Sequence, residues 1–400
     1  FPLDGLRAVD AGDDLDCRGG RGLLDDGRGL YRRRPGTAGE SEQAPAAPTV
    51  KIVPRVYGSE AVQRELSGLI REPFSETQAM EVIYATTRKA VGDPSECGDS
   101  SFGVDLGSEV SYGACRINVP KIHAVGGFEV SADPRADPHR YFRVLGHTPL
   151  DQAGLFERLR ERPGSDILVF VHGFNVKFEE AIMRSAQIAY DLKFQGPVVL
   201  FSWPAGAAEG MLESKMINLT YQTNRGNAAR SAPKAAALWM GLAGLDSRIH
   251  LMVHSMGHQV VLPSLAQASQ SIGRRFIGEL ILNAPDIPVK DFQRLAPRFK
   301  ELADRVTVYC SYNDNAIAAS ETYNKGRRMG GCEREPGVDV INVGGIDAPA
   351  LGVGGLGHGY YSSRPILTDI FQVLLGVPAE KRLFIRKSET NTPEDYYLRP

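Results

Sequence analysis

A serine, an aspartate and a histidine follow three predicted strands of this 400-residue chain. Ser255 lies in "HSMGH" (254–258) after the apolar run "RIHLMV", Asp314 lies in "YNDNAI" after "RVTVYCS", and His358 lies in "GLGHGYY", in the loop after the strand "VDVINV". A serine hydroxyl becomes a strong nucleophile when an imidazole takes its proton, and a carboxylate fixes the tautomer of that imidazole. The three residues are therefore candidates for a nucleophile, an acid and a general base.

Each candidate also has a purely structural interpretation. Ser255 suits the N-cap of the following helix, Asp314 lies in good turn sequence, and His358 could be an ordinary loop histidine. We favour catalysis because all three fall where one mechanism needs them, and because "HGFN" (172–175) follows a further strand. A tetrahedral intermediate needs backbone N–H donors, and we assign these to Phe174 and Met256.

The elements that must position these residues alternate between buried strands and helices. Short, nearly continuous Val/Ile/Leu runs separated by helical stretches indicate a mostly parallel, doubly wound α/β sheet, whose ligands bind beyond the carboxyl ends of the strands. The predicted strands are 166–174, 196–203, 248–255, 278–285, 305–312 and 337–345, and the predicted helices are 177–194, 228–244, 259–270 and 289–304.

Three segments differ in character along the chain. Residues 1–48 are rich in Gly, Arg, Asp and Pro, which predicts a disordered or low-complexity segment. Residues 49–150 contain short strand patterns and predict an N-terminal extension with antiparallel first strands. Residues 151–400 hold the alternating pattern and all the candidate residues, so they are predicted to form the catalytic core.

Composition excludes several classes of partner. The net charge of −2 gives no general attraction to nucleic acid, and no run approaches the about 20 apolar residues that span a bilayer.

The five cysteines show no C-x-x-C pair, which leaves disulfides between Cys97 and Cys115 or between Cys310 and Cys332 as options. The chain begins with Phe, so a targeting segment removed upstream fits the sequence. The compartment, cytoplasmic or exported, and the oligomeric state stay open.

Six motifs together resemble the bacterial esterase/lipase-like α/β-hydrolase family long catalogued as a domain of unknown function: "FVHGFN", "VLFSWPA", "VHSMGHQ", "LNAPDI", "SYNDNAI" and "GLGHGYY". With "VIYATTRK" and "SYGACRINVP" upstream, the resemblance runs from about 80 to 400. It implies an α/β-hydrolase fold, which has the chain order Ser, Asp, His. It also implies carboxylic-ester hydrolysis with Ser255 as nucleophile, Asp314 as acid and His358 as base.

Several alternatives remain open at the sequence level. Asp286 in "APDI" and then Asp347 in "GGIDAPA" compete with Asp314 for the acid role. His254 and His258 flank the nucleophile, but neighbouring residues there point away from it, so we expect them to pack or bond locally. Val253 is larger than the residue usual two places before the nucleophile, and Pro263 should distort the following helix.

The predicted pocket is a modest open cleft without a cofactor or a metal. No carboxylate-containing metal motif accompanies the histidines, and room for one helix between 285 and 305 predicts that there is no large lid. Segment 204–227 could form a small flap. Gly173, Phe174, Trp203, Tyr360 and Tyr361 are candidates for the pocket.

Such a cleft favours short-chain or small aromatic esters as small-molecule substrates. Two other functions fit the same residues. One is acyl transfer or amide hydrolysis with the same triad, and the other is a non-catalytic interaction module on a hydrolase scaffold.

Overall fold

The computed structural model describes residues 78–92, 96–120, 123–127, 129–131, 133, 135–162, 164–207, 217–346 and 358–399. The predicted low-complexity segment 1–48 lies outside the described residues. So do Asp347, the third candidate acid, and part of the predicted flap, residues 208–216. The predicted division at residues 48 and 150 stays an expectation.

The described strands form one sheet in the order β10-β11-β9-β8-β7-β6-β4-β5-β1-β2-β3. The pairs from β1 through β5, β4, β6, β7, β8 and β9 to β11 are parallel, whereas β1 with β2, β2 with β3, and β10 with β11 are antiparallel. This arrangement confirms the predicted class, a mostly parallel α/β sheet with antiparallel N-terminal strands. The strands are β1 Gln78–Ala90, β2 Phe102–Val119, β3 Arg143–Leu150, β4 Ile167–Val171, β5 Val198–Ser202, β6 Ile249–His254, β7 Ile277–Asn283, β8 Ala303–Cys310, β9 Asp339–Asn342, β10 Ile385–Lys387 and β11 Tyr396–Leu398.

Helices cover both faces of the sheet. Every residue of β4, β5, β6 and β7 is buried, which explains why these strands read as continuous apolar runs. None of the described helices is long and apolar enough to cross a bilayer. The helices within the described ranges are α1 Gln152–Arg160, α2 Phe178–Asp191, α3 Ile217–Ala243, α4 His258–Ala268, α5 Val289–Leu302, α6 Asn315–Asn324 and α7 Arg364–Leu374.

Alternate side chains of the central strands enter two separate cores. Val169 and Leu251 face one core, together with apolar residues of α1, α3, α4 and α5. Leu168 and Met252 face the other core, together with residues of α2 and α7. This two-sided packing is the doubly wound arrangement, and it leaves the carboxyl ends of the strands to form the site.

Most predicted elements lie within a few residues of the observed ones. The clearest difference is α3, which begins at Ile217 rather than at 228, so residues 217–227 of the predicted flap are helical. Between β7 and β8 the chain forms only α5, as expected for a fold without a large lid at that point. Helix α6 directly after Asp314 was not predicted.

Both cysteine pairs considered from the sequence are disulfides. Cys97 is bonded to Cys115 of β2, and Cys310 at the end of β8 is bonded to Cys332. The second disulfide holds the chain four residues before Asp314, so it ties the end of β8 to the turn that follows α6.

Candidate active site

Ser255 lies on a sharp turn between β6 and α4. Its φ is +53°, a left-handed conformation that costs a non-glycine residue about 1–2 kcal/mol. A Cβ atom at Gly257 would lie 2.6 Å from the carbonyl oxygen of His172, so the turn requires glycine there. Val253 is fully buried and packs in a core of the sheet, which accommodates its bulk. Helix α4 continues through Pro263 to Ala268 without a break.

A hydrogen-bonded chain joins the three candidate catalytic side chains. His358 Nε2 lies 2.6 Å from Ser255 Oγ, and His358 Nδ1 lies 2.7 Å from Asp314 Oδ2. These side chains come from three separate strand ends, 103 and 44 residues apart in sequence. In this geometry the imidazole can accept the serine proton on one nitrogen while its other N–H donates to the carboxylate.

Asp314 caps a helix and also contacts the candidate base. Its Oδ1 accepts hydrogen bonds from the N–H groups of Ala316 and Ile317, both at 3.0 Å, and so caps helix α6. Its Oδ2 binds His358, and the side chain is only 2% exposed. The cap therefore fixes the carboxylate so that its second oxygen faces the imidazole.

His254 supports the candidate base from behind. Its Nε2–H donates to the carbonyl oxygen of His358 at 3.2 Å, and its ring stacks on Tyr361 with a centroid distance of 4.0 Å. Burial, and then the nearby His358, hold the pKa of His254 well below its usual value, so this ring is neutral. The contact spans 104 residues, and no pattern in the sequence pointed to it.

His258 bonds locally, as expected. Its Nδ1–H donates to the carbonyl oxygen of Ser255 at 2.6 Å, inside the same turn. Burial lowers the pKa of His258 to about 3, so it stays neutral. This bond stabilises the turn that carries Ser255.

Residues His172–Val176 pack against Ser255, and we call them the oxyanion loop after the donor predicted at Phe174. A Cβ atom at Gly173 would lie 2.8 Å from Ser255 Cβ. Asn175 has a φ of +55°, and its N–H donates to Asn224 Oδ1 at 3.4 Å. The predicted donors, the N–H groups of Phe174 and Met256, thus belong to the two segments that meet at Ser255.

Asp286, the alternative acid, is engaged elsewhere. Its carboxylate accepts hydrogen bonds from Tyr221 Oη at 2.8 Å and from Ser320 Oγ at 2.6 Å, and it forms an ion pair with Arg328 at 3.4 Å. The structure therefore brings Asp314, and not Asp286, to His358. Asp286 instead ties α3 to α6 beside the pocket.

A cavity of about 410 Å³ opens above Ser255 and His358. One wall is a mainly apolar groove between α3 and α6, which we call the α3/α6 groove. Phe174 contacts Tyr221 at its inner end, with ring centroids 5.7 Å apart. Glu180 and Arg184 of α2 also line the cavity. The residues of the α3/α6 groove are Ile217, Tyr221, Ala316, Ile317, Ala319 and Tyr323.

A family model describing an α/β hydrolase of unknown function (DUF900) matches residues 150–377. The chain belongs to this α/β-hydrolase family. No curated protein matches the sequence. A solved structure, phospholipase PlaB from Legionella pneumophila, is 12% identical, with 58% of this chain and 68% of that chain covered and a TM-score of 0.25. A TM-score this low supports no conclusion about this hydrolase.

Three pocket candidates of the hydrolase need correction. Trp203 is fully buried, and it stacks on His172 and donates its indole N–H to the His172 carbonyl at 2.9 Å. Tyr360 is buried with its hydroxyl 3.3 Å from the carbonyl oxygen of Tyr309. Gly173 packs against Ser255 and does not line the cavity. Phe174 and Tyr361 do line it.

The sequence pointed to only part of the pocket wall of this α/β hydrolase. The α3/α6 groove is formed by two helices. The first turns of α3 lie in the predicted flap, and α6 was not predicted. The capping potential of Asp314 was the signal for α6. Among the described residues, no cluster of three or more His, Cys, Asp or Glu side chains could hold a metal ion.

Proposed function

We propose that this α/β hydrolase is a serine carboxylesterase that acts through an acyl-enzyme. The observation that supports this proposal is the continuous chain from Asp314 through His358 to Ser255, with hydrogen bonds of 2.7 and 2.6 Å. The strained turn at Ser255 and the adjacent oxyanion loop add the two other features that acyl transfer needs.

In the acylation step, Ser255 Oγ attacks the ester carbonyl carbon while His358 Nε2 takes its proton. The carbonyl oxygen gains negative charge and accepts hydrogen bonds from the N–H groups of Phe174 and Met256. Asp314 stabilises the imidazolium through Nδ1–H. When the tetrahedral intermediate collapses, the bond to the alcohol oxygen breaks and His358 returns the proton to it.

Deacylation repeats these steps with water. His358 Nε2 takes a proton from the water as its oxygen attacks the acyl carbon, and the serine oxygen leaves with that proton. The products are the free acid and the restored Ser255.

The cavity suggests the acyl group. The α3/α6 groove is mainly apolar. The carboxylate of Asp286 beside it already accepts hydrogen bonds from Tyr221 and Ser320 and pairs with Arg328. A cavity of about 410 Å³ must hold the acyl part together with the alcohol part. We therefore assign short acyl chains or a single aromatic ring to the groove, and the alcohol part to the side of Glu180 and Arg184.

A panel of p-nitrophenyl esters from acetyl to decanoyl, with a benzoyl ester, tests this proposal. We expect kcat/KM to be highest for the short-chain and benzoyl esters. The Ser255→Ala variant should lose about 10⁴-fold or more, and a fluorophosphonate should label the wild type but not that variant. Full activity of Ser255→Ala would refute the proposal.

Two measurements separate the other functions. An acyltransferase would pass its acyl group to an added alcohol in preference to water, and an amidase would turn over anilides of the same acids. A non-catalytic module would neither hydrolyse esters nor react with the fluorophosphonate.

A further inference from the structure

Arg88 lies behind the oxyanion loop, where all five of its guanidinium N–H groups have partners. Nε donates to Ser202 Oγ at 2.8 Å. Nη1 donates to the carbonyl oxygens of Ala205 at 2.8 Å and Gly103 at 3.1 Å. Nη2 donates to the carbonyl oxygen of Val176 at 2.7 Å and lies 3.4 Å from His172 Nε2. One side chain thus joins both ends of the oxyanion loop to the segment after β5.

Local backbone structure directs Arg88 to this place. It lies near the carboxyl end of β1, and the pairing of β1 with β2 shifts register between Thr86 and Arg88. Such an irregularity re-aims the side chains that follow it. The result is a guanidinium that is buried beneath the loop, with Arg88 only 1% exposed.

Burying this cation is costly, and ion pairing does not offset the cost. Within the described part of the chain Arg88 forms no salt bridge, and the carboxylates of Asp99 and Glu180 act on it only through space. Burial lowers its pKa to about 9, so it remains a cation at neutral pH. A buried charge held by neutral acceptors is expensive. The neutral partners of Arg88, two of which belong to the oxyanion loop, are therefore held in place around the guanidinium.

His172 completes the connection. Its Nδ1–H donates to the carbonyl oxygen of Gly173 at 3.0 Å, which leaves Nε2 free to accept from Arg88 and from Ser202 Oγ at 3.1 Å. Burial, and then the charge of Arg88, hold the pKa of His172 well below its usual value, so the ring keeps this acceptor. Arg88 therefore holds both ends of the oxyanion loop. It binds the imidazole ring of His172, the first residue, and the backbone carbonyl of Val176, the last residue.

We propose that Arg88 is a positioning residue of the ester hydrolase. Its guanidinium holds the oxyanion loop at His172 and Val176, so that the Phe174 N–H meets the developing oxyanion. The inference rests on the proposed function. It concerns the transition state, since oxyanion donors bind the charged intermediate more strongly than the neutral ester. A shift of about 1 Å in such a donor can cost about 100-fold in rate.

The test compares Arg88→Lys and Arg88→Gln with the wild type. Lysine keeps the charge but has three N–H donors instead of five, and glutamine loses the charge as well. We expect kcat to fall about 10-fold for lysine and about 100-fold for glutamine, with KM within about twofold. The inhibition constant of an alkyl boronic acid, which forms a tetrahedral adduct with Ser255, should rise by the same factors.

Arg382→Lys is the matched control. Arg382 is also buried, but it binds Asp369 at 2.9 Å and Tyr309 Oη at 3.5 Å and makes no hydrogen bond to the oxyanion loop within the described residues. The Arg382→Lys variant should have a lower melting temperature, whereas its kcat and its boronate affinity should stay within about twofold of the wild-type values. Equal kcat losses in the Arg88 and Arg382 variants at equal melting temperature would overturn the inference, as would an unchanged boronate affinity for Arg88→Lys.

Ser202→Ala is a milder variant, needed if the Arg88 variants do not fold. It removes the acceptor of Arg88 Nε and a partner of His172 Nε2. We expect a threefold to tenfold loss in kcat, smaller than the cost of about 100-fold for a displacement of about 1 Å, because Arg88 keeps its bonds to Val176 and His172. Unchanged kcat in the folded variant would overturn the inference.

The rate of fluorophosphonate labelling separates the two proposals. In labelling, Ser255 Oγ bonds to phosphorus, its proton passes to His358 Nε2 and fluoride leaves. The reaction needs the same oxyanion donors but no ester. Labelling without ester hydrolysis in the wild type would refute the esterase proposal, and the labelling rates of the Arg88 variants would still test the positioning role.

Discussion

Replacing Asp314 by asparagine should separate the proposed catalytic role of this residue from its structural role. The asparagine Oδ1 can still accept from the N–H groups of Ala316 and Ile317, because Asn and Asp are equally good N-caps. The amide NH₂ would then face His358 Nδ1, which lies 2.7 Å from the present Oδ2. The imidazole would carry its proton on Nε2, and this tautomer cannot accept the proton of Ser255.

The expected loss in kcat for Asp314→Asn is about 10⁴-fold, the size seen when a triad imidazole is held in the wrong tautomer. This corresponds to about 5.5 kcal/mol in the activation barrier. Stability should change by less than about 0.5 kcal/mol, because the cap is retained. Asp314→Ala should lose a similar factor in kcat and, in addition, about 1 kcal/mol of unfolding free energy through the missing cap.

Asp151 provides the control, since it caps α1 with a side-chain bond of 2.7 Å to the N–H of Gly154. Asp151→Ala should cost about 1 kcal/mol of stability with unchanged kcat. The assays are urea unfolding and kcat for a short-chain ester. If Asp314→Asn kept more than about a tenth of the wild-type kcat while Asp286→Asn abolished activity, the assignment of the acid would be wrong.

Three further predictions concern packing, disulfides and pH. Gly257→Ala should lower kcat about 100-fold and destabilise the fold by about 1–3 kcal/mol, because the new Cβ would lie 2.6 Å from the carbonyl oxygen of His172 in the oxyanion loop. Gly226→Ala is the control, since position 226 of α3 has open space around it, and it should leave kcat unchanged. Replacing both Cys97 and Cys115 by serine should lower the unfolding free energy by about 3 kcal/mol, as expected for a crosslink across 18 residues, and an equal denaturation midpoint would contradict this. Burial raises the pKa of Glu279 from 4.5 to about 7, so its ionisation opposes folding and stability is lost as pH rises through that window. The unfolding free energy of the wild type relative to Glu279→Gln should therefore fall by up to about 3 kcal/mol between pH 4 and pH 8. Denaturant unfolding at each pH measures this difference, and a difference that stays constant with pH would contradict the prediction.

The sequence predicted the parallel core because its strands are buried on both faces. The runs 167–171 and 277–283 contain no exposed residue, and such runs separated by helical periodicity have few other folds open to them. The chemistry-bearing residues could be predicted for a related reason. Parallel strands bring their carboxyl ends to one edge, so residues that follow different strands are brought together there.

The sequence could not predict contacts that depend on relative placement in space. His254 was expected to pack or bond locally. It packs on Tyr361, but its hydrogen bond goes to the backbone of His358 across 104 residues. Trp203 and Tyr360 were expected in the pocket, but both are buried in the packing around it. An aromatic side chain after a strand can face either a cavity or a core, and only the packing of neighbouring helices decides which.

By itself the sequence determined the class of fold, the order of the candidate nucleophile, acid and base, and the glycine that lets the turn at Ser255 form. Each of these follows from local composition and from the period of burial along the chain. Tertiary structure alone decided that Asp314 and not Asp286 meets His358, and that α3 and α6 form the apolar wall. It also decided that Arg88 lies behind the oxyanion loop. These outcomes depend on distances between segments far apart in sequence, which the packing of the whole sheet sets.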